Sequence, residues 1–109
     1  MIDVGFHIGV TDLREGGTLE DLSKLPDEGV TSYKLFMAYK GAVMVDDDTL
    51  FRTMETAAET GALVMVHAEN GDAIDILVKK ALAEGKTEPI WHARTRPPET
   101  EGEATNRAI

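Results

Sequence analysis

Cysteine is absent from the 109-residue sequence, which excludes a disulfide framework and any thiolate chemistry. That absence fits a reducing cytoplasm. Long hydrophobic runs are missing as well. No apolar stretch is long enough to span a bilayer, and no basic segment followed by an apolar run opens the chain, so neither a membrane span nor a signal peptide is expected. Basic residues are scarce, with 11 Lys and Arg against 20 Asp and Glu and a formal net charge of −9. Such an acidic balance argues against nucleic acid and against anionic membrane as partners. There is no internal repeat, no HExxH and no GxSxG motif, and Gly16-Gly17 lacks the flanks of a phosphate-cradling loop.

What is present is ordinary globular composition, 42% hydrophobic and 28% charged. A chain of this length forms one small domain with a thin core, spanning 1–109. Short apolar runs alternate with longer stretches of mixed period. The β-branched and aromatic text of Val4 to Val10 predicts a first strand. After the break at Gly16-Gly17, Thr18 opens a short helix carrying Leu19, Leu22 and Leu25, which Pro26 ends. A second strand is expected from about Val30 to Tyr39. Asp46, Asp47 and Asp48 are N-cap candidates for a helix over Thr49 to Thr60, with a Leu50, Met54, Ala57 stripe and Gly61 past its end.

The third strand, Ala62 to His67, is apolar at successive positions, as in a strand covered on both faces. Asp72 is a candidate cap for a helix that stops at Gly85. A polar loop containing His92 leads to Pro97-Pro98, which can open a last helix, Glu99 to Ile109. Strands alternating with helices imply an α/β fold with a parallel sheet, either doubly wound or part of a (β/α)₈ barrel. A closed barrel needs roughly 250 residues, so this chain supplies only a segment of one, with about three strands and their flanking helices.

Lys34 lies within Tyr33-Lys34-Leu35-Phe36, a strand that otherwise reads as buried. Either its ammonium reaches water at a strand edge, or it is desolvated and reactive. A neutral lysine amine that captures carbon dioxide becomes a carbamate, an anion able to bridge two metal ions. His67 ends the third strand, and in parallel α/β folds ligands gather at the C-terminal ends of strands. It is either a metal ligand or a histidine capped by a loop carbonyl. Asn70-Gly71-Asp72 reads as turn and helix cap rather than as catalytic. Tyr39 closes the second strand, where it either donates to a developing oxyanion or packs against a loop. His7 reads as a packing or hydrogen-bonding residue, His92 as solvated, and Arg96 as a partner for Glu99 or Glu101 at the surface.

Taken together, Ser32-Tyr33-Lys34-Leu35-Phe36-Met37-Ala38-Tyr39-Lys40-Gly41 resembles the carbamylated-lysine strand of the hydantoinase and dihydropyrimidinase branch of the amidohydrolase superfamily. Val64-Met65-Val66-His67-Ala68-Glu69-Asn70-Gly71-Asp72 resembles its histidine-ligand strand. Arg96-Pro97-Pro98-Glu99 and Glu103 to Ile109 resemble its next segment, and Asp3-Val4-Gly5-Phe6-His7 also fits. The resemblance implies a segment of a (β/α)₈ barrel. It implies Lys34 as the carboxylated lysine bridging two metals, usually zinc, His67 as a metal ligand, and Tyr39 as a residue that holds substrate and stabilises the tetrahedral intermediate.

The implied activity is opening of hydantoin or dihydropyrimidine rings to N-carbamoyl amino acids, in a homo-oligomer acting on a small cyclic ureide or imide. The family's His-x-His pair, second single histidine and catalytic aspartate have no counterpart here, so the 109 residues alone are expected to be inactive and metal binding incomplete. The competing expectation is a segment of a non-catalytic protein of the collapsin response mediator type, acting through assembly.

Overall fold

In the structure, a computed structural model that describes residues 2–13 and 18–109, the first expected strand is much shorter than the sequence pattern predicts. Only Ile8–Gly9 (β1) pairs, in parallel, with Ile8 opposite Tyr33 and Gly9 opposite Lys34. Val4 and Phe6 are 68% and 76% exposed. A strand is held by cross-strand pairing and by a face to bury, and these residues find neither among the described residues. The Gly16-Gly17 break lies outside the described residues.

The chain divides into two compact units, Met1–Leu35 with Val45–Val66, and Phe36–Met44 with His67–Ile109. In the first unit, helix α1 spans Thr18–Lys24, with Glu20 and Asp21 in its first turn and Lys24 in its last, as the helix dipole favours. Pro26 does not simply stop it. It sits in the first turn of a 3₁₀ helix, Leu25–Glu28, where its missing N–H costs nothing, and Gly29 closes that turn at φ 92°.

Strand β2, Ser32–Phe36, is the middle of a three-stranded parallel sheet ordered β1-β2-β3, where β3 is Leu63–His67. Tyr33 and Leu35 are fully buried, while Lys34 between them is only half-buried, the period-two signature of a strand with one closed face. The Tyr33 hydroxyl donates to the Leu22 carbonyl at 2.6 Å, which removes the cost of burying a phenol.

Helix α2, Asp47–Thr60, packs on α1. The Asp46 side chain caps it by accepting from the Thr49 N–H at 2.9 Å, and Gly61, at φ 76°, donates back to the Ala57 carbonyl. The buried stripe is Leu50, Thr53 and Ala57, with Met54 only half-buried. Thr53 is accepted there because its hydroxyl donates to the Thr49 carbonyl at 2.8 Å. β3 departs from expectation: it is not covered on both faces, since Leu63 is 63% exposed and the rest of the strand is half-buried.

In the second unit, α3 (Gly71–Ala83) packs on α4 (Ile90–Arg94) and on α5 (Pro98–Ala108). Asn70, not Asp72, caps α3, accepting from the Ala73 N–H at 3.0 Å. The α3–α5 packing is reinforced by Asn70, whose backbone N–H donates to the Thr100 carbonyl and whose amide donates to Glu103. Helix α4 occupies part of the stretch expected to be loop. It places half-buried Trp91 within reach of two cations, with the Lys86 ammonium 4.3 Å and the Arg94 guanidinium carbon 5.0 Å from a ring centroid.

Candidate functional site

Lys34 belongs to the first unit. It lies on the central strand of the sheet rather than at an edge, and its carbonyl accepts from the Val10 N–H at 2.9 Å. The backbone is therefore held on a ladder while the side chain stands half-buried. His7, from the same unit, places Nδ1 within hydrogen-bond distance of the Ser32 hydroxyl, the hydrogen-bonding role its sequence position suggested.

Tyr39 and His67 both fall in the second unit, and the structure brings them together. Their ring centroids are 5.2 Å apart, and Phe36 completes a three-ring cluster at 6.1 Å from Tyr39 and 5.8 Å from His67. Tyr39 reaches this position through a left-handed backbone, φ 66°, which bulky side chains rarely adopt and which costs about 1–3 kcal/mol. Its carbonyl accepts from the N–H groups of Ala42, Val43 and Met44, so the 39–44 segment turns tightly around it. Lys40 pairs with Asp72 at the start of α3, and that hydrogen bond holds the Lys40 ammonium above its ordinary range.

His67 is tied at both levels. Its carbonyl accepts from the Met37 N–H at 3.0 Å, and its Nε2 lies 2.7 Å from Glu69 Oε2. Among the described residues, Nδ1 takes no hydrogen bond. Arg96 does not pair with Glu99 or Glu101. Its Nε stands 3.8 Å from Glu69 Oε1, and a terminal nitrogen donates to the His92 carbonyl at 2.9 Å. His92 is exposed, but in α4 rather than in a loop. Glu69 thus adjoins His67, and Arg96, expected to pair at the surface, stands against Glu69, contacts that the sequence pattern did not foretell. The only hint is that an acidic residue follows His67 by two positions.

The side-chain nitrogens available here suit a zinc-like ion in type but not in number. Among the described residues, no group of three or more His, Cys, Asp or Glu could hold a metal ion. His67, 34% exposed, offers one donor, and Lys34 offers an oxygen donor only after carboxylation.

No family model matches the chain. It is 59% identical to a D-hydantoinase of Geobacillus stearothermophilus, over 99% of this chain and 23% of that protein. It is 45% identical to a dihydropyrimidinase of Arabidopsis thaliana, over 99% of this chain and 20% of that protein. The solved dihydropyrimidinase of Brevibacillus agri NCHU1002 superposes with a TM-score of 0.92 at 61% identity, over 98% of this chain and 23% of that one. The three parallel strands and flanking helices are therefore a segment of the (β/α)₈ barrel of such enzymes. The chain spans about a quarter of the length of the relatives it matches. In sequence and in fold, over that quarter, it belongs to the hydantoinase and dihydropyrimidinase family.

Proposed function

We propose that this chain is part of a metal-dependent cyclic amidohydrolase that opens hydantoin or dihydropyrimidine rings to N-carbamoyl amino acids. The observation that carries this reading is the joint presence of Lys34, Tyr39 and His67 in a segment so close to D-hydantoinases throughout its length.

Lys34 is assigned as the bridging ligand. Its neutral amine forms a bond to the carbon of carbon dioxide and releases one proton, leaving an anionic carbamate with two donor oxygens. His67 is assigned as a ligand through an imidazole nitrogen. Two bound metals, zinc by family resemblance, would lower the pKa of a water and polarise the ring carbonyl. Tyr39 is assigned to the substrate. Its phenol donates a hydrogen bond to the oxygen that gains charge as the carbonyl becomes tetrahedral, and the 40% exposure of the residue leaves it open to a ligand. The intact protein is expected to be a cytoplasmic homo-oligomer, and the cysteine-free sequence suits that compartment. No helix among the described residues is long and apolar enough to cross a membrane.

The test is turnover of hydantoin and dihydrouracil by the intact, metal-loaded protein that carries this segment, with Lys34→Met beside it. Ring opening by the parent and background rates in the variant are expected. A metal-loaded parent that opens neither ring, or a variant with undiminished turnover, refutes the proposal.

A further inference from the structure

The chain is restrained on both flanks of Tyr39. Before it, the Met37 N–H donates to the His67 carbonyl at 3.0 Å, and the Met37 carbonyl accepts from the Gly71 N–H at 3.1 Å. After it, the Lys40 ammonium donates to Asp72 Oδ1 in the first turn of α3. Both restraints end on the same short stretch, 67–72, where β3 passes into α3. The parallel bridge between Phe36 and Met44 closes the far end of the turn.

A backbone dihedral is fixed when the chain on either side of it is fixed. The φ of Tyr39, 66°, lies in a region that a bulky residue keeps only where its surroundings over-determine it. Relaxing that angle to a negative value would swing the chain after Tyr39 against the chain before it. Lys40 would leave Asp72, and the phenol ring, now 5.2 Å from the His67 ring between centroids, would point elsewhere. The amides of Ala42, Val43 and Met44 that close on the Tyr39 carbonyl belong to the turn itself, whereas Lys40 and Asp72 tie its near end to α3. We infer that Lys40 and Asp72 are positioning residues that hold Tyr39 in its left-handed conformation and so aim its phenol at the substrate. The aiming rests on the role proposed above for Tyr39, but the holding of the backbone does not. Lys40 is 55% and Asp72 62% exposed, so the pair sits in water and adds little to global stability. Its effect is local, on the one dihedral next to it.

The experiment uses the intact, metal-loaded protein that carries this segment. Lys40→Met, Asp72→Asn, the two together and the conservative Lys40→Arg are made in the parent, and Lys40→Met is also made beside Tyr39→Phe. The readings are kcat and KM for ring opening, the melting temperature and the exchange rates of backbone amides. Lys40→Met and Asp72→Asn are each expected to lower kcat about 10-fold with KM changed less, inside the roughly 100-fold that a misplacement of an ångström can cost. The double variant should be no slower than either single one, because each removes the same contact. Lys40→Arg should keep most of the parent's rate. Beside Tyr39→Phe, where no hydroxyl is left to aim, Lys40→Met should lower kcat no further. The Ala42 amide, which donates to the Tyr39 carbonyl, should exchange several-fold faster in Lys40→Met. The Ile74 amide inside α3 and the melting temperature should hold.

An undiminished kcat in Lys40→Met, or unchanged exchange at Ala42, overturns the inference. So does a fall in kcat of the same size beside Tyr39→Phe, which would show Lys40 acting on the substrate or the fold and not through the phenol. A parent that opens neither ring refutes the proposed function instead, and exchange at Ala42 then decides whether the pair holds the turn.

Discussion

Gly71 donates its backbone N–H to the Met37 carbonyl at 3.1 Å, and a Cβ on Gly71 would lie only 2.7 Å from that same oxygen. The first residue of α3 is therefore pressed directly on the backbone that leads into Tyr39. The same hypothetical carbon would meet the Ala38 Cα at 2.8 Å and the Met44 sulfur at 2.7 Å. Two of those three atoms are backbone and cannot swing aside.

Gly71→Ala is accordingly expected to destabilise the protein by about 1–3 kcal/mol, the cost of overpacking a fitted contact. Gly102→Ala serves as the control. It lies inside α5, a Cβ there meets nothing within 4 Å, and alanine should stabilise the helix by about 0.5–1 kcal/mol. Urea unfolding of the two variants checks both signs. Equal effects at the two positions would show that helix propensity, and not the contact with residues 37 and 38, governs Gly71.

Tyr33→Phe removes the hydroxyl that donates to the Leu22 carbonyl in the core of the first unit. The orphaned carbonyl should cost about 1–3 kcal/mol. A loss below a few tenths of a kcal/mol in chemical denaturation would mean that water reaches the carbonyl once the hydroxyl is gone.

The 109 residues on their own should not hydrolyse hydantoin or dihydrouracil, even with zinc and bicarbonate supplied. Among the described residues they offer no cluster of three metal-binding side chains, and a carbamate on lysine persists only where metals hold its oxygens. The intact mass should match the unmodified 11.9 kDa chain. Turnover by the pure chain, or a stable increment of one carbon dioxide, would contradict this.

The sequence was most legible where local chemistry decides the outcome. Helix α2 announced itself through Asp46 before it and Gly61 after it, because caps act on the nearest turn. β2 was legible from its apolar text, though it ends at Phe36 and leaves Tyr39 in the turn beyond it, and β3 was legible down to its end at His67. Legibility failed where a partner far along the chain decides. Val4 to Val10 carries a strand's composition, yet only Ile8–Gly9 meets a neighbour. Asn70 rather than Asp72 caps α3 because the helix already begins at Gly71, and Asp72, inside its first turn, accepts instead from Lys40, 32 residues away in sequence. α4 is only five residues long, too short to show a period. The Glu69–Arg96 pair joins residues separated by a turn and two helices, and no spacing rule could have connected them.

Trp91 is the chain's single tryptophan, and it sits in α4 with Lys86 and Arg94 both close to its ring. The molecule thus carries one indole fluorophore, confined to the second unit. Nearby positive charge and a half-buried ring make its emission wavelength sensitive to whether α4 stays docked on α3. An optical signal excited at the red edge of tryptophan absorption, where the two tyrosines are silent, therefore reports on the unit that contains His67, Glu69 and Arg96 without any label being attached.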